Sequence, residues 1–212
     1  MMGHEKMPKG FSSLNSPYGR KVRIAEIETL QSGLIEWKFL SREERILEMP
    51  SINPLGKVPA LILENGSLLI DSPVIASWVD QQHNGRRLIP EQQSERYAVL
   101  NLEAIGDGLS DAAIAVSLEE SRPENEKSDT WIMRNKQKLY QTLVFLNNLV
   151  DNFDDSKNIL NLGEISIACA IGYMDFREVV IDWRSRYQQL AGWYEATEER
   201  GSFKETAIEI EV

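Results

Sequence analysis

The chain has 212 residues and a single cysteine, Cys169, so it can close no disulfide within itself. That excludes a Cys-x-x-Cys redox site and fits a reducing, cytoplasmic setting. Only two histidines are present. Neither stands at a ligand spacing with Cys, Asp or Glu, so no metal is expected. Basic runs are lacking: 33 acids outnumber 23 bases, for a net charge of −10, and nucleic acid is an unexpected partner. No apolar run approaches the roughly 20 residues that span a bilayer, and no membrane association is expected. The first residues, Met1 to Lys9, are polar and lack the apolar core of a signal peptide. They read as a partly frayed leader. Gly-x-Gly-x-x-Gly is absent, as is a serine nucleophile elbow. Gly56-Lys57-Val58 has no Ser or Thr after the Lys, so it is not a phosphate loop.

What is present centres on Ile52-Asn-Pro-Leu-Gly-Lys-Val-Pro-Ala-Leu-Ile-Leu63. Pro54 and Gly56 forbid a regular element at its start, and Val58 to Leu63 is an apolar run of strand length. Proline cannot donate to a sheet ladder, so Pro59 belongs at a strand end or edge. A Val58-Pro59 turn there presents the Val58 backbone N–H and C=O to an extended ligand, which could pair as an extra strand. Asn65-Gly66 signals a hairpin between Ala60–Leu63 and Leu68–Ile70. Asn65-Gly-Ser67 is formally a glycosylation sequon, one that a cytoplasmic chain would not use. Asp71-Ser72-Pro73 then opens a helix through Val74, Ile75, Trp78 and Val79, with an anion-friendly N-terminus.

Upstream, Gly10 to Ser13 occupies the place of a first, weak strand. Ser16 reads as an N-cap and Pro17 as the first helical residue. Val22, Ile24, Ala25, Ile27 and Leu30 form the buried stripe of that helix, which Gly33 ends. Ile35 to Phe39 alternates as a strand, and Ser41 to Glu48 is a short charged helix or loop. Downstream, Gly85 to Pro90 is a composition break. The division expected is residues 1–85, a linker at 86–92, and an all-helical unit at 93–212. In that unit Tyr97, Leu100, Ala104, Leu109, Ala112, Ala113 and Val116 mark one helical face, with Gly106 and Gly108 as weak points. Trp131 to Val150 marks a second helix, and Asn152 to Asn158 a polar connection. Asn161 and Glu164 have capping-box spacing ahead of Ile165–Tyr173, the expected central helix. Only the last few residues of this half carry a strand pattern.

Asn53 to Leu61 and Asp71 to Ala76 resemble the glutathione-binding half of bacterial glutathione S-transferases, and the similarity extends over about residues 16 to 206. The resemblance implies an α/β thioredoxin-like N-terminal domain followed by an all-α helical domain. It implies a cis Val58-Pro59 bond, with the Val58 backbone pairing with glutathione. Asp71 and Ser72 would hold the γ-glutamyl end, with Asp71 standing where many members carry Glu. Lys57 would offset a glutathione carboxylate. Ser16 is the expected catalytic group: it would aim a hydroxyl at the glutathione sulfur from a helix N-terminus and favour the thiolate. Asn15, Ser13 and Tyr18 compete for that role, and simple capping is the plain alternative for Ser16, Ser72 and Asp71. Arg20 reads as a solvated surface charge and Cys169 as a small buried hydrophobe. The implied activity is conjugation of the glutathione thiolate to a small hydrophobic electrophile, a detoxification reaction, in a homodimer. The electrophile would lie between the domains, with walls from the first-helix loop and the Tyr97–Val116 helix, whose lining residues are apolar and small. A non-catalytic binding or regulatory protein, and a glutathione-dependent peroxidase or reductase, remain as alternatives.

Overall fold

A computed structural model describes residues 7–153 and 160–209. Most of the expected connection at 152–158, the first six residues and the last three lie outside them. The N-terminal part runs β1 (Lys9–Ser12), α1 (Pro17–Glu28), β2 (Glu36–Phe39), α2 (Arg42–Ile52), β3 (Ala60–Ile62), β4 (Leu68–Leu69) and α3 (Ser72–Gln81). Its sheet has the order β2-β1-β3-β4. β1 pairs parallel with β2 and antiparallel with β3, and β3 pairs antiparallel with β4. This is the thioredoxin-like arrangement. β1 runs one residue earlier than the expected Gly10–Ser13, beginning at Lys9 and ending at Ser12.

β3 has a partner on each side, so it is an interior strand and Pro59 sits at its end, just outside the ladder. The hairpin closes through Leu63 N–H to Ser67 C=O at 2.9 Å, and Asn65 Oδ1 accepts from Ser67 N–H. α1 stops at Glu28, before Gly33. Leu30 itself adopts φ 57° and is 93% exposed, so it drops out of the apolar stripe. Thr29 satisfies the helix end instead, with its hydroxyl donating to the Ala25 carbonyl at 2.7 Å. α2 starts on a complete capping box of Ser41 and Glu44 and continues past Glu48 to Ile52, where the Asn53 N–H donates to the Met49 carbonyl.

The helical part contains α4 (Gln93–Glu120), α5 (Asp129–Leu149), α6 (Leu162–Phe176), α7 (Trp183–Arg186), α8 (Gln188–Glu198) and α9 (Gly201–Glu205). Residues 207–209 form no strand. α6 is buried from Leu162 to Met174 and carries the Asn161–Glu164 capping box. The buried face of α4 holds Leu109, Ala112, Ala113 and Val116, as expected, and departs from the expected stripe elsewhere. Tyr97 is 62% exposed and Ala104 is exposed, while Val99, Glu103, Gly106 and Ser110 face inward. Gly106 is the point of closest approach. A Cβ there would stand 2.6 Å from the Ser166 carbonyl carbon and 2.7 Å from the Ile167 nitrogen. Glu103 is buried because Lys21 of α1 comes to meet it.

Candidate functional site

β1 ends at Ser12, and the chain turns at once into α1. Gly19 allows this, since a Cβ there would collide with the Ser12 hydroxyl. The tight approach sets the first turn of α1 against the strand end. Ser16 caps it: the Gly19 N–H donates to Ser16 Oγ at 3.2 Å. Capping uses a lone pair of the hydroxyl and leaves its proton, which meets no acceptor among the described residues. The competing groups differ. Ser13 Oγ donates to Asn15 Oδ1 at 3.2 Å. Tyr18 Oη donates to Asp111 in a short hydrogen bond. Burial raises the Tyr18 pKa, Asp111 adds to the rise, and the phenol stays protonated.

The turn before β3 is templated by Asn53, which is buried. Its Nδ2 donates to the Lys57 carbonyl at 2.7 Å and its Oδ1 accepts from Leu55 N–H at 2.9 Å. Asn-Pro-x-Gly is the local signal for such an Asx turn, and it marks Asn53 as the residue that builds it. The Val58-Pro59 bond is cis, as the resemblance implied. The backbone N–H and C=O of Val58 have no partner among the described residues. Polar main-chain groups are satisfied by protein, water or ligand, so this is an open, strand-like edge. Lys57 is exposed beside it.

α3 starts beyond the hairpin with Asp71 at its N-cap position. The Asp71 side chain makes no cap hydrogen bond, so capping does not account for it. The carboxylate is exposed at a helix N-terminus, and Ser72 behind it is buried. Arg20, expected at the surface, is buried. It donates to the Phe203 carbonyl at 3.1 Å and stacks on the Phe203 ring, tying α1 to α9. Cys169 is buried in α6, where desolvation pushes its thiol up to about 11, out of reach of thiolate chemistry near neutrality.

Ser16, Lys57, Val58, Pro59, Asp71 and Ser72 all line one cleft of about 680 Å³ between the two parts. Its opposite wall is not the small apolar surface expected. α4 contributes Asp107 and Asp111, then Ile114 and Leu118; the end of α6 contributes Tyr173 and Arg177. Asp107 accepts from Lys21 Nζ at 2.8 Å and from Ser166 Oγ at 3.0 Å. α4 is the expected wall; which of its residues face the cleft, and that the end of α6 joins them, carried no signal in the sequence, because nothing local marks a helix position as cleft-facing.

A family model for the glutathione S-transferase N-terminal domain matches residues 11–87. The uncharacterized GST-like protein YibF of Escherichia coli K12 is 31% identical over 196 residues, 92% of this chain and 95% of that one. A glutathione transferase family member from Pseudomonas fluorescens Pf-5, crystallised with bound glutathione, is 35% identical, with a TM-score of 0.88 over 96% of this chain and all of its own. A glutathione S-transferase from Methylobacillus flagellatus KT, with glutathione bound, is 32% identical at a TM-score of 0.87, over 94% of this chain and 98% of its own. Likeness at this identity runs nearly end to end and includes the cleft-forming turns, and the chain belongs to the glutathione S-transferase family.

Proposed function

We propose that the protein is a glutathione transferase that conjugates the glutathione thiolate to a small electrophile. The observation that carries this is the convergence on one cleft of an unpaired Val58 backbone, an uncapping Asp71 carboxylate and a Ser16 hydroxyl with its proton unspent. These three groups fit the parts of the tripeptide. Val58 would pair with the cysteinyl backbone, Asp71 and Ser72 would hold the γ-glutamyl ammonium and carboxylate, and Lys57 would face a carboxylate. Glutathione bound in the Pseudomonas and Methylobacillus relatives supports the same reading.

Ser16 does not attack. A free thiol has a pKa of roughly 8.5, and a hydroxyl donor at a helix N-terminus favours its anion. Capping and thiolate stabilisation use different parts of the same hydroxyl, so they are compatible. The reading includes a homodimer, a cytoplasmic location and disposal of reactive electrophiles, which rest on the resemblance and on the single-cysteine composition. We place the boundary between the two units at residues 86–92. A peroxidase or reductase route would have to run without a protein thiol, because Cys169 is buried.

Calorimetric titration with glutathione tests the core of the proposal. Saturable binding that weakens in Asp71→Asn is expected. Absence of binding at millimolar glutathione would leave only a scaffold. Sedimentation at micromolar protein checks the dimer.

A further inference from the structure

The chain carries ten more acids than bases, and several of its arginines are held in ion pairs. Arg184 pairs with Asp175 at 2.7 Å, Arg186 with Asp182 at 2.5 Å and Arg200 with Glu28 at 2.6 Å. Among the cleft residues, Arg177 of the helical part is not paired in this way. It ends α6, lines the cleft and has no carboxylate within ion-pair distance among the described residues. Its guanidinium lies 4.7 Å from the Phe176 ring centre and 5.4 Å from that of Tyr173. Its Nε donates to Tyr173 Oη at 3.2 Å. Cation–π contact with the two rings and one hydrogen bond hold the guanidinium in place, and its terminal NH2 groups have no hydrogen-bond partner among the described residues.

The neighbouring acids are already engaged. Asp175 takes Arg184 and the Trp183 indole, Asp107 takes Lys21, and Asp111 takes Tyr18. Four cationic side chains line the cleft, Arg42, Arg45, Lys57 and Arg177, against the carboxylates of Asp71, Asp107 and Asp111. Arg42, Arg45 and Lys57 belong to the glutathione-binding part; Arg177 stands alone on the helical part, across from it. Ile114 and Leu118 line the same cleft.

We propose that the electrophile site selects a substrate with a short apolar body and a carboxylate, which the open fork of Arg177 grips in bidentate fashion. This rests on the glutathione transferase reading above. An activated aryl halide bearing an acid, such as 4-chloro-3-nitrobenzoate, has the required form. In its conjugation the sulfur–carbon bond forms and the carbon–chlorine bond breaks. Chloride leaves with the bonding pair and the thiol proton passes to solvent.

The test titrates three ligands by calorimetry: glutathione, S-(4-carboxy-2-nitrophenyl)glutathione and the matching carboxamide. In the wild type the acid should bind about tenfold tighter than the amide, the scale of one charge-assisted bidentate contact. Arg177→Met should abolish that preference and leave glutathione itself unchanged. The kcat/KM ratio of 4-chloro-3-nitrobenzoate to its amide should fall in parallel. Equal binding of acid and amide by the wild type, or equal weakening of both in Arg177→Met, overturns the proposal while glutathione binding keeps the parent reading intact. Absence of glutathione binding removes the parent reading, and this one with it.

Discussion

At Ser16 two functions share one oxygen. The Gly19 N–H occupies a lone pair at 3.2 Å, and the hydroxyl proton is left for a ligand. Ser16→Ala therefore should do two separable things. Loss of the cap should cost about 1 kcal/mol of stability, read by urea denaturation. Loss of the donor should raise the pKa of the bound glutathione thiol, so that thiolate absorbance appears at higher pH and turnover at neutral pH falls. Glutathione affinity should change little, because Asp71, Ser72 and Val58 would hold the tripeptide. Superimposed thiolate curves for wild type and Ser16→Ala would remove Ser16 from the chemistry. Asn15 would be tested next, since its amide NH2 has no acceptor among the described residues, whereas the Ser13 and Tyr18 hydroxyls are spent.

Among the elements, the α4–α6 crossing decides where the helical wall of the cleft stands. Gly106 lies in a helix interior, where glycine normally costs roughly 1 kcal/mol against alanine. By propensity alone Gly106→Ala would stabilise. The crossing reverses the sign, because the new methyl would meet Ser166 and Ile167 backbone, which cannot swing aside. Gly106→Ala should destabilise by about 1–3 kcal/mol, and Gly106→Val by more. Gly108 has open space around its position, so Gly108→Ala should be neutral or stabilising. The pair measured together in urea separates packing from propensity. A stabilised Gly106→Ala would show that the added methyl does not meet the Ser166 and Ile167 backbone.

Across the whole molecule, a buried ion cluster joins the two parts beneath the cleft. Lys21 on α1 reaches Glu103 at 3.0 Å and Asp107 at 2.8 Å on α4. Desolvation raises the Glu103 pKa, and Lys21 opposes the rise. A carboxyl whose folded pKa lies above its unfolded value stabilises below the unfolded value. That contribution is lost as pH rises through the folded value. Lys21→Met removes the opposing charge and lifts Glu103 further. The variant should lose about 3–5 kcal/mol near pH 7, the scale for breaking a buried pair, and much less near pH 4. Denaturation series at the two pH values check this. A loss independent of pH would mean that Lys21 acts by packing alone.

Residues near one another in the chain revealed most of the glutathione-binding part. Asn53 to Ala76 contains a templated turn, a proline at a strand end, a hairpin and a capped helix, and each is a local backbone preference that neighbours impose. The Asn161–Glu164 box and the apolar run behind it were legible for the same reason. The face of α4 was legible only in part, at Leu109, Ala112, Ala113 and Val116. Apolar periodicity pointed to Tyr97 and Ala104, whereas Glu103 and Gly106 turn inward, because a buried carboxylate is tolerable only opposite Lys21, and a glycine is favoured only where another backbone approaches. Arg20 reads as a surface charge until Phe203 covers it. The same holds for the electrophile wall. Asp111 and Arg177 are many turns of helix away from Ser16, and only the packing of α4 and α6 across the first turn of α1 brings them to one cleft. Sequence alone determined the turns and caps that could hold a tripeptide. Tertiary structure decided what faces it, since which side of a helix meets a cleft depends on partners far along the chain.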